Sequence, residues 1–436
     1  MSWRLLGTLG LALCTIGAAG RGPVPERLLY HVETLDGKVL ASHSADLAFN
    51  PASVIKVATT LWAVELLGPE HRYATRIGYR GTWDPVRGRI DGQLVVVGGW
   101  DPDFQAENAI LVARKLNELG VREVSDGLVV SGPFSMGWER GVEGRLADPQ
   151  QRAVQMARRL RDAFDPARWN RFTRGSWYEM SKRRGWDPAH PPAVKIANGA
   201  SVVDATASSP LVQHLSGPLT SLLKRFNVYS NNDIVRVADG LGGAAELQRW
   251  LAQRVGAGEV ELETASGEGH NSMTARMVVS LMRELHRSVG RLGLSPQDLL
   301  PLPGCDPGPA ARNFPLLSAG EHARTVAAKT GTLRITDNGV AVLAGTFTNH
   351  DNGEVLFCVA AQQAGNRLHY WRRVEQSWLL DVMQSIGGAV PRGCGQELPL
   401  PDTWAVVEDV RPPDAEAVLT ARREPRREGV CQTLAQ

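Results

Sequence analysis

Strand signals stand at the two ends of this chain with a long helical middle between them, and that placement limits the possible folds more than any other feature. Residues 27–44 read as a hairpin: Leu28-Leu29-Tyr30-His31-Val32 alternates, Asp36-Gly37 turns and Val39-Leu40-Ala41 returns. Far downstream, a run at 326–332 leads to one at 339–348, His350-Asp351-Asn352-Gly353 turns, and 355–361 comes back. An amphipathic helix over about 368–386 follows. Strands so distant in sequence pair most simply in one antiparallel sheet shared by both chain ends and covered by the last helix, an α+β domain.

At 436 residues the chain exceeds one small core. Pro51 opens a helical pattern that runs to Leu67 and closes at Gly68-Pro69. From 74 to 205 the character changes: strand-like runs at 94–97 and 128–130 flank a helix-like 106–119, and an Arg- and Trp-rich stretch occupies 147–187. Helical texture returns at 209–226, 244–255 and 273–289. These shifts divide the chain into 21–73 plus 206–392 as one domain, 74–205 as an inserted module, and 393–436 as a Pro-, Glu- and Arg-rich extension with little core of its own.

The first twenty residues have the form of a secretory signal. Arg4 is the positive end, Leu5 to Ile16 the short apolar run, and Gly17-Ala18-Ala19-Gly20 the small residues at a cleavage site. Leu13 before Cys14 is too large for a lipoprotein box. No later stretch approaches the ~20 apolar residues of a membrane span, and a net charge of +2 gives no reason to expect nucleic acid. Periplasmic localisation is therefore expected. An exported chain with Cys305, Cys358, Cys394 and Cys431 permits two disulfides in three connectivities. Cys358 lies in an apolar run and reads as a buried thiol, whereas Cys394 and Cys431 flank the tail and could staple it. The ten histidines lack paired spacing and no C-x-x-C occurs, so neither a metal site nor a cofactor is indicated.

Chemistry concentrates first at Ser53 and Lys56, in Asn50-Pro51-Ala52-Ser53-Val54-Ile55-Lys56. A spacing of three places both on one face of the first long helix, where free backbone N–H groups favour developing negative charge. Lysine acts as a base only when its proton affinity falls, through burial or a nearby cation. The chain uses only seven lysines among 48 basic residues. Arginine cannot give up its proton, so a lysine kept at 56 fits a base. A second lysine lies in Ala327-Ala328-Lys329-Thr330-Gly331-Thr332 on the first strand of the downstream meander, where Gly331 allows close backbone approach. Ser230-Asn231-Asn232 forms the third element, in a loop after a helix. No G-x-S-x-G elbow, P-loop or dinucleotide fingerprint is present.

Taken in order, Ser53-x-x-Lys56, Ser230-x-Asn232 and Lys329-Thr330-Gly331 match the three-motif signature of penicillin-binding proteins and serine β-lactamases. The long gap between the first two resembles the class C low-molecular-weight penicillin-binding proteins, the D-alanyl-D-alanine carboxypeptidase/endopeptidase group, which carry an extra module there. Leu94-Val95-Val96-Val97-Gly98-Gly99-Trp100-Asp101-Pro102 and Leu300-Pro301-Leu302-Pro303-Gly304 are also similar to segments of that group. The resemblance implies the antiparallel-sheet fold with a helical subdomain, and hydrolysis of D-alanyl-D-alanine or cross-link bonds of peptidoglycan stem peptides through a penicillin-sensitive acyl-enzyme. Ser53 would be the nucleophile, Lys56 its base and Ser230 a proton relay. Asn232, Lys329 and Thr330 would hold the substrate, and the N–H groups of Ser53 and Thr332 would form the oxyanion hole. The family's Asp-Gly-Ser-Gly-Leu-Ser-Arg segment reads here Thr264-Ala265-Ser266-Gly267-Glu268-Gly269-His270, a departure that keeps two alternatives open: a β-lactamase using Glu268, or a non-catalytic peptidoglycan binder. The 147–187 stretch, ten basic against five acidic residues among Trp169, Phe172, Trp177, Tyr178 and Trp186, could touch an anionic envelope polymer or a lipid surface, or be a solvated face with Trp packed beneath.

Overall fold

A computed structural model describes residues 28–412 apart from 205–206, 256–259, 352, 396–397 and 399; the expected signal segment and Cys431 lie outside the described residues. The two chain ends do share a sheet. Its five strands run Val326–Leu333, Val340–Thr348, Glu354–Ala361, Leu28–Thr34 and Val39–His43, all antiparallel. Side chains alternate across it, so consecutive residues enter different cores. Leu29, Ala327, Val342, Leu356 and Cys358 join the core formed with helices Ile55–Leu67, Leu219–Tyr229 and Ala275–Arg291. Leu28, Val326, Leu343, Phe347 and Phe357 pack instead against Trp371, Leu379 and Met383 of the last helix, Leu368–Ser385. Ile55 through Val64 are all buried, so the helix behind Ser53 is enclosed on every side.

A second sheet with its own core begins at Ala74. Along its main path lie Val406–Asp409, Ser209–Leu215, Ala74–Asp84, Arg89–Val97, Glu123–Val124 and Lys195–Ile196, while Gly127–Ser131 and Ala200–Val203 add parallel pairs. Helices Ala106–Glu118 and Pro149–Phe164 cover it through Val112, Leu116, Met156 and Leu160.

Three expectations are corrected. The helix expected over 209–226 is a strand, Ser209–Leu215, then a helix, Leu219–Tyr229. Gly217-Pro218 breaks the segment, and Leu211 and Val212 complete the second core. Ser209–Leu215 pairs antiparallel with Ala74–Asp84. The tail is not without structure either, since Val406–Asp409 pairs with Ser209–Leu215. Finally, Cys394 bonds to Cys305 with Cα atoms 5.7 Å apart, which excludes a Cys394–Cys431 staple. Cys358 is a buried thiol as expected. Among the described residues no helix is long and apolar enough to cross a membrane.

Candidate active site

Ser53 occupies a single 3-10 turn, Ala52–Val54, which runs straight into helix Ile55–Leu67. The turn is held from three sides. Asn50 Oδ1 accepts from the Ala52 N–H at 3.0 Å, while its amide donates to Gly269 O at 2.9 Å and Asp337 Oδ2 at 2.7 Å. Gly331 is tight against it: a Cβ there would lie 2.5 Å from Pro51 O. That close approach, rather than conformational freedom, is why glycine occupies the position.

Lys56 is fully buried. Its ammonium nitrogen lies 2.8 Å from Ser53 Oγ, 2.7 Å from Asn232 Oδ1 and 2.7 Å from Ser266 O. Burial lowers its pKa from 10.5 to about 7, and the negative charges of Glu268 and Asp233 work in the opposite direction. In the neutral amine the two carbonyl-type acceptors can take both N–H bonds, leaving the lone pair directed at the Ser53 hydroxyl.

Ser230 caps helix Leu219–Tyr229 in a left-handed conformation, φ +51°. Lys329 Nζ donates to Ser230 Oγ at 2.8 Å and to Thr330 O at 2.8 Å. Lys329 is also buried, and burial, then the charges of Lys56 and Arg372, hold its pKa well below the usual lysine range. The three motifs thus form a trio, Ser53–Lys56–Asn232, and a pair, Ser230–Lys329, so the second motif joins the first through Asn232 and the third through Ser230.

Val326–Leu333 is the edge strand of the sheet, paired with Val340–Thr348 on one side. On its other side the Ala328 N–H donates to Pro301 O at 2.9 Å. Backbone direction repeats every second residue in an antiparallel strand, so the Thr330 and Thr332 N–H groups point to that same unpaired side. Arg372, from the last helix, donates to Gly331 O, Thr332 Oγ1 and, at 2.8 Å, Val342 O, bracing the strand from behind the site.

Sequence reasoning missed Asn50, Asp233, Ser266 and Arg372, and took 264–270 only as a departure. The loop meets Lys56 through a main-chain carbonyl, which any residue at 266 supplies. A cleft of about 810 Å³ lined by Arg72, Lys224, Tyr229, Cys305, Cys394 and Trp404 contains none of the motif residues.

A family model described as the D-Ala-D-Ala carboxypeptidase 3 (S13) family matches residues 29–136 and 193–370, well over half of the sequence. The chain belongs to that family. It is accordingly a serine DD-peptidase of peptidoglycan, and the resemblance to class C low-molecular-weight penicillin-binding proteins is borne out. Solved structures share the fold. A predatory peptidoglycan endopeptidase from Bdellovibrio bacteriovorus is 21% identical with a TM-score of 0.71, covering 87% of this chain and 98% of its own. A penicillin G-acylated form of a Bdellovibrio predatory endopeptidase, in complex with an immunity protein, is 20% identical with a TM-score of 0.68, covering 87% and 99%. Penicillin-binding protein 4 from Haemophilus influenzae is 18% identical with a TM-score of 0.56, covering 81% and 97%. No curated protein matches the chain. Residues 137–192 lie between the two matched spans.

Proposed function

We propose that Ser53 is the nucleophile and Lys56 its general base in hydrolysis of the terminal D-alanyl-D-alanine or cross-link bond of stem peptides. The observation that carries this reading is the 2.8 Å contact between a buried, low-pKa lysine and the serine hydroxyl, with the amine's other two directions taken by Asn232 and Ser266. Ser53 Oγ adds to the carbonyl of the penultimate D-alanine as its proton passes to Lys56. The N–H groups of Ser53 and Thr332 stabilise the oxyanion. The C–N bond breaks, and the departing amine takes a proton relayed through Ser230, which Lys329 holds in place. Lys329 and Thr330 bind the terminal carboxylate and Asn232 holds the substrate amide. Water then adds to the acyl-enzyme, its proton returning through Lys56, and Ser53 leaves as the hydroxyl.

By the same reading residues 1–20 are a signal peptide and the mature protein is periplasmic. Residues 74–215 are an inserted module on a catalytic domain formed by the flanking segments. The Arg171–Arg184 helix packs Trp177 and Met180 inward and exposes Phe172, Tyr178, Arg171, Arg174 and Lys182, a surface suited to weak contact with the anionic envelope. Benzylpenicillin is expected to acylate Ser53, to leave a persistent adduct, and to spare Ser53→Ala. Peptide mapping after incubation is the test: an adduct elsewhere refutes the assignment, and rapid turnover of the adduct favours a β-lactamase.

A further inference from the structure

One loop of the inserted module reaches the carboxylates that act on Lys56. Three of its backbone donors grip two carboxylates: the Glu139 N–H bonds Asp233 Oδ2 at 2.9 Å, the Gly141 N–H bonds Asp233 Oδ1 at 2.8 Å, and the Val142 N–H bonds Glu268 Oε2 at 3.1 Å. Asp233 and Glu268 are the two acidic groups whose charge acts on Lys56. Glu268 Oε2 also accepts from Ser266 Oγ at 2.7 Å, and its buried Oε1 has no hydrogen-bond partner, so that charge is only partly balanced by donors. Gly141 sits at φ +80°, where a Cβ would overlap both the Glu268 carboxylate and the Asn232 side chain. The loop is fastened in turn by the Glu139 carboxylate. It pairs with Arg152 of the module's Pro149–Phe164 helix at 2.6 Å and with Arg236 of the catalytic side at 2.8 Å.

We propose that the Glu139–Val142 loop is a positioning element for the base: it fixes Asp233 and Glu268 beside Lys56 and so sets how readily Lys56 exchanges the Ser53 proton. This rests on Lys56 being the base. Glu268 and Asp233 face Lys56 with negative charge. Lys329 opposes it as a like charge and Arg372 acts on Lys329; His270 is engaged at the outer end of the loop with Asp337, 3.3 Å away. Withdrawing negative charge from this setting disfavours the ammonium form.

The test is the second-order acylation rate of the full mature protein with a fluorescent penicillin across pH 5 to 9. Glu268→Gln keeps the side chain's size and an acceptor for the Val142 N–H. It is expected to move the midpoint of the acid limb down by about one pH unit, with the plateau within about threefold of wild type. Gly141→Ala, which dislodges the loop, is expected to lower the plateau by about tenfold or more. Rates are expressed per folded molecule, with the folded fraction taken from circular dichroism at each pH, so a poorly folding variant still reads out. An acid limb that survives in Lys56→Arg would show that Lys56 is not the base. A limb absent from Lys56→Arg but unmoved in Glu268→Gln refutes the positioning role alone, as does a Gly141→Ala protein with wild-type rate and midpoint.

Discussion

Replacing Lys56 by Met tests the state of the base through stability rather than activity. In the folded chain Lys56 loses its proton near pH 7, whereas in the unfolded chain it holds the proton to about 10.5. Between these values the unfolded state binds more protons, so stability rises with pH across that window and is lost as pH falls toward 7. At 1.36 kcal/mol per pKa unit, the Lys56 contribution grows by about 2 kcal/mol from pH 7 to pH 9. Methionine cannot titrate. It leaves Asn232 Oδ1 and Ser266 O without their donor, a penalty that does not change with pH. Tyr73 and Cys358, whose pKa values burial raises, are present in both proteins and cancel in the difference. Guanidinium unfolding at pH 7, 8 and 9, at constant ionic strength with the disulfide intact, gives the stability of Lys56→Met relative to wild type. That difference is expected to move by about 2 kcal/mol toward wild type over the series. The same difference at all three pH values would mean that Lys56 keeps an ordinary lysine pKa in the fold, and the argument for a neutral base would collapse.

Five further outcomes are expected. Lys56→Arg keeps a cation but cannot accept a proton, so acylation by a fluorescent penicillin should fall ~10²–10⁴-fold. Lys329→Arg should lose only about tenfold because carboxylate binding needs no proton transfer; equal losses at the two sites would overturn the division of roles. Asn50→Ala removes all three ties of the Ser53 turn and should slow acylation by about tenfold or more while costing about 1–3 kcal/mol in chemical unfolding; an unchanged rate would show that the turn holds itself. Cys305→Ser with Cys394→Ser should cost about 2–5 kcal/mol by the same unfolding assay and leave the acylation rate near wild type, since both cysteines line a cleft that holds no motif residue. N-terminal sequencing of protein from its native host should begin near residue 20, and an intact Met1 in the cytosol would remove the export assignment.

The sheet shared by the chain ends was legible because Val340–Thr348 and Glu354–Ala361 are near-continuous apolar runs, as strands buried on both faces require, and Asp36-Gly37 marks the hairpin turn between Leu28–Thr34 and Val39–His43. The Ser53 helix was legible from Pro51 and Gly68, which bound it. Segment 209–226 misled because Leu211, Val212 and Leu215 fit a helical stripe as well as a strand; its pairing with Ala74–Asp84, distant in sequence, decides between them. At the site, the three motifs announced themselves by residue type and order. What surrounds them did not. Ser266 meets Lys56 through its carbonyl, and Gly141 and Val142 reach the carboxylates through their N–H groups, which leave no side-chain signature. Arg372 looked like any other arginine on an amphipathic helix until its contacts with Gly331 and Val342 were seen.

The last described stretch of chain acts as a guy rope. Cys394 is fastened to Cys305 on the catalytic side. A few residues on, Asp402 takes Arg183 and Arg184, Trp404 O takes Arg72, and Val406–Asp409 is laced into the second sheet. Covalently, the segment entered at Ala74 and left at Leu215 would otherwise be joined by two neighbouring antiparallel strands alone, a natural hinge axis. With a third covalent crossing anchored at both ends, swinging about that axis requires stripping a strand or stretching the rope. Such a tether opposes the rocking open to a simple insertion and favours registry of the Val142 N–H on the Glu268 carboxylate.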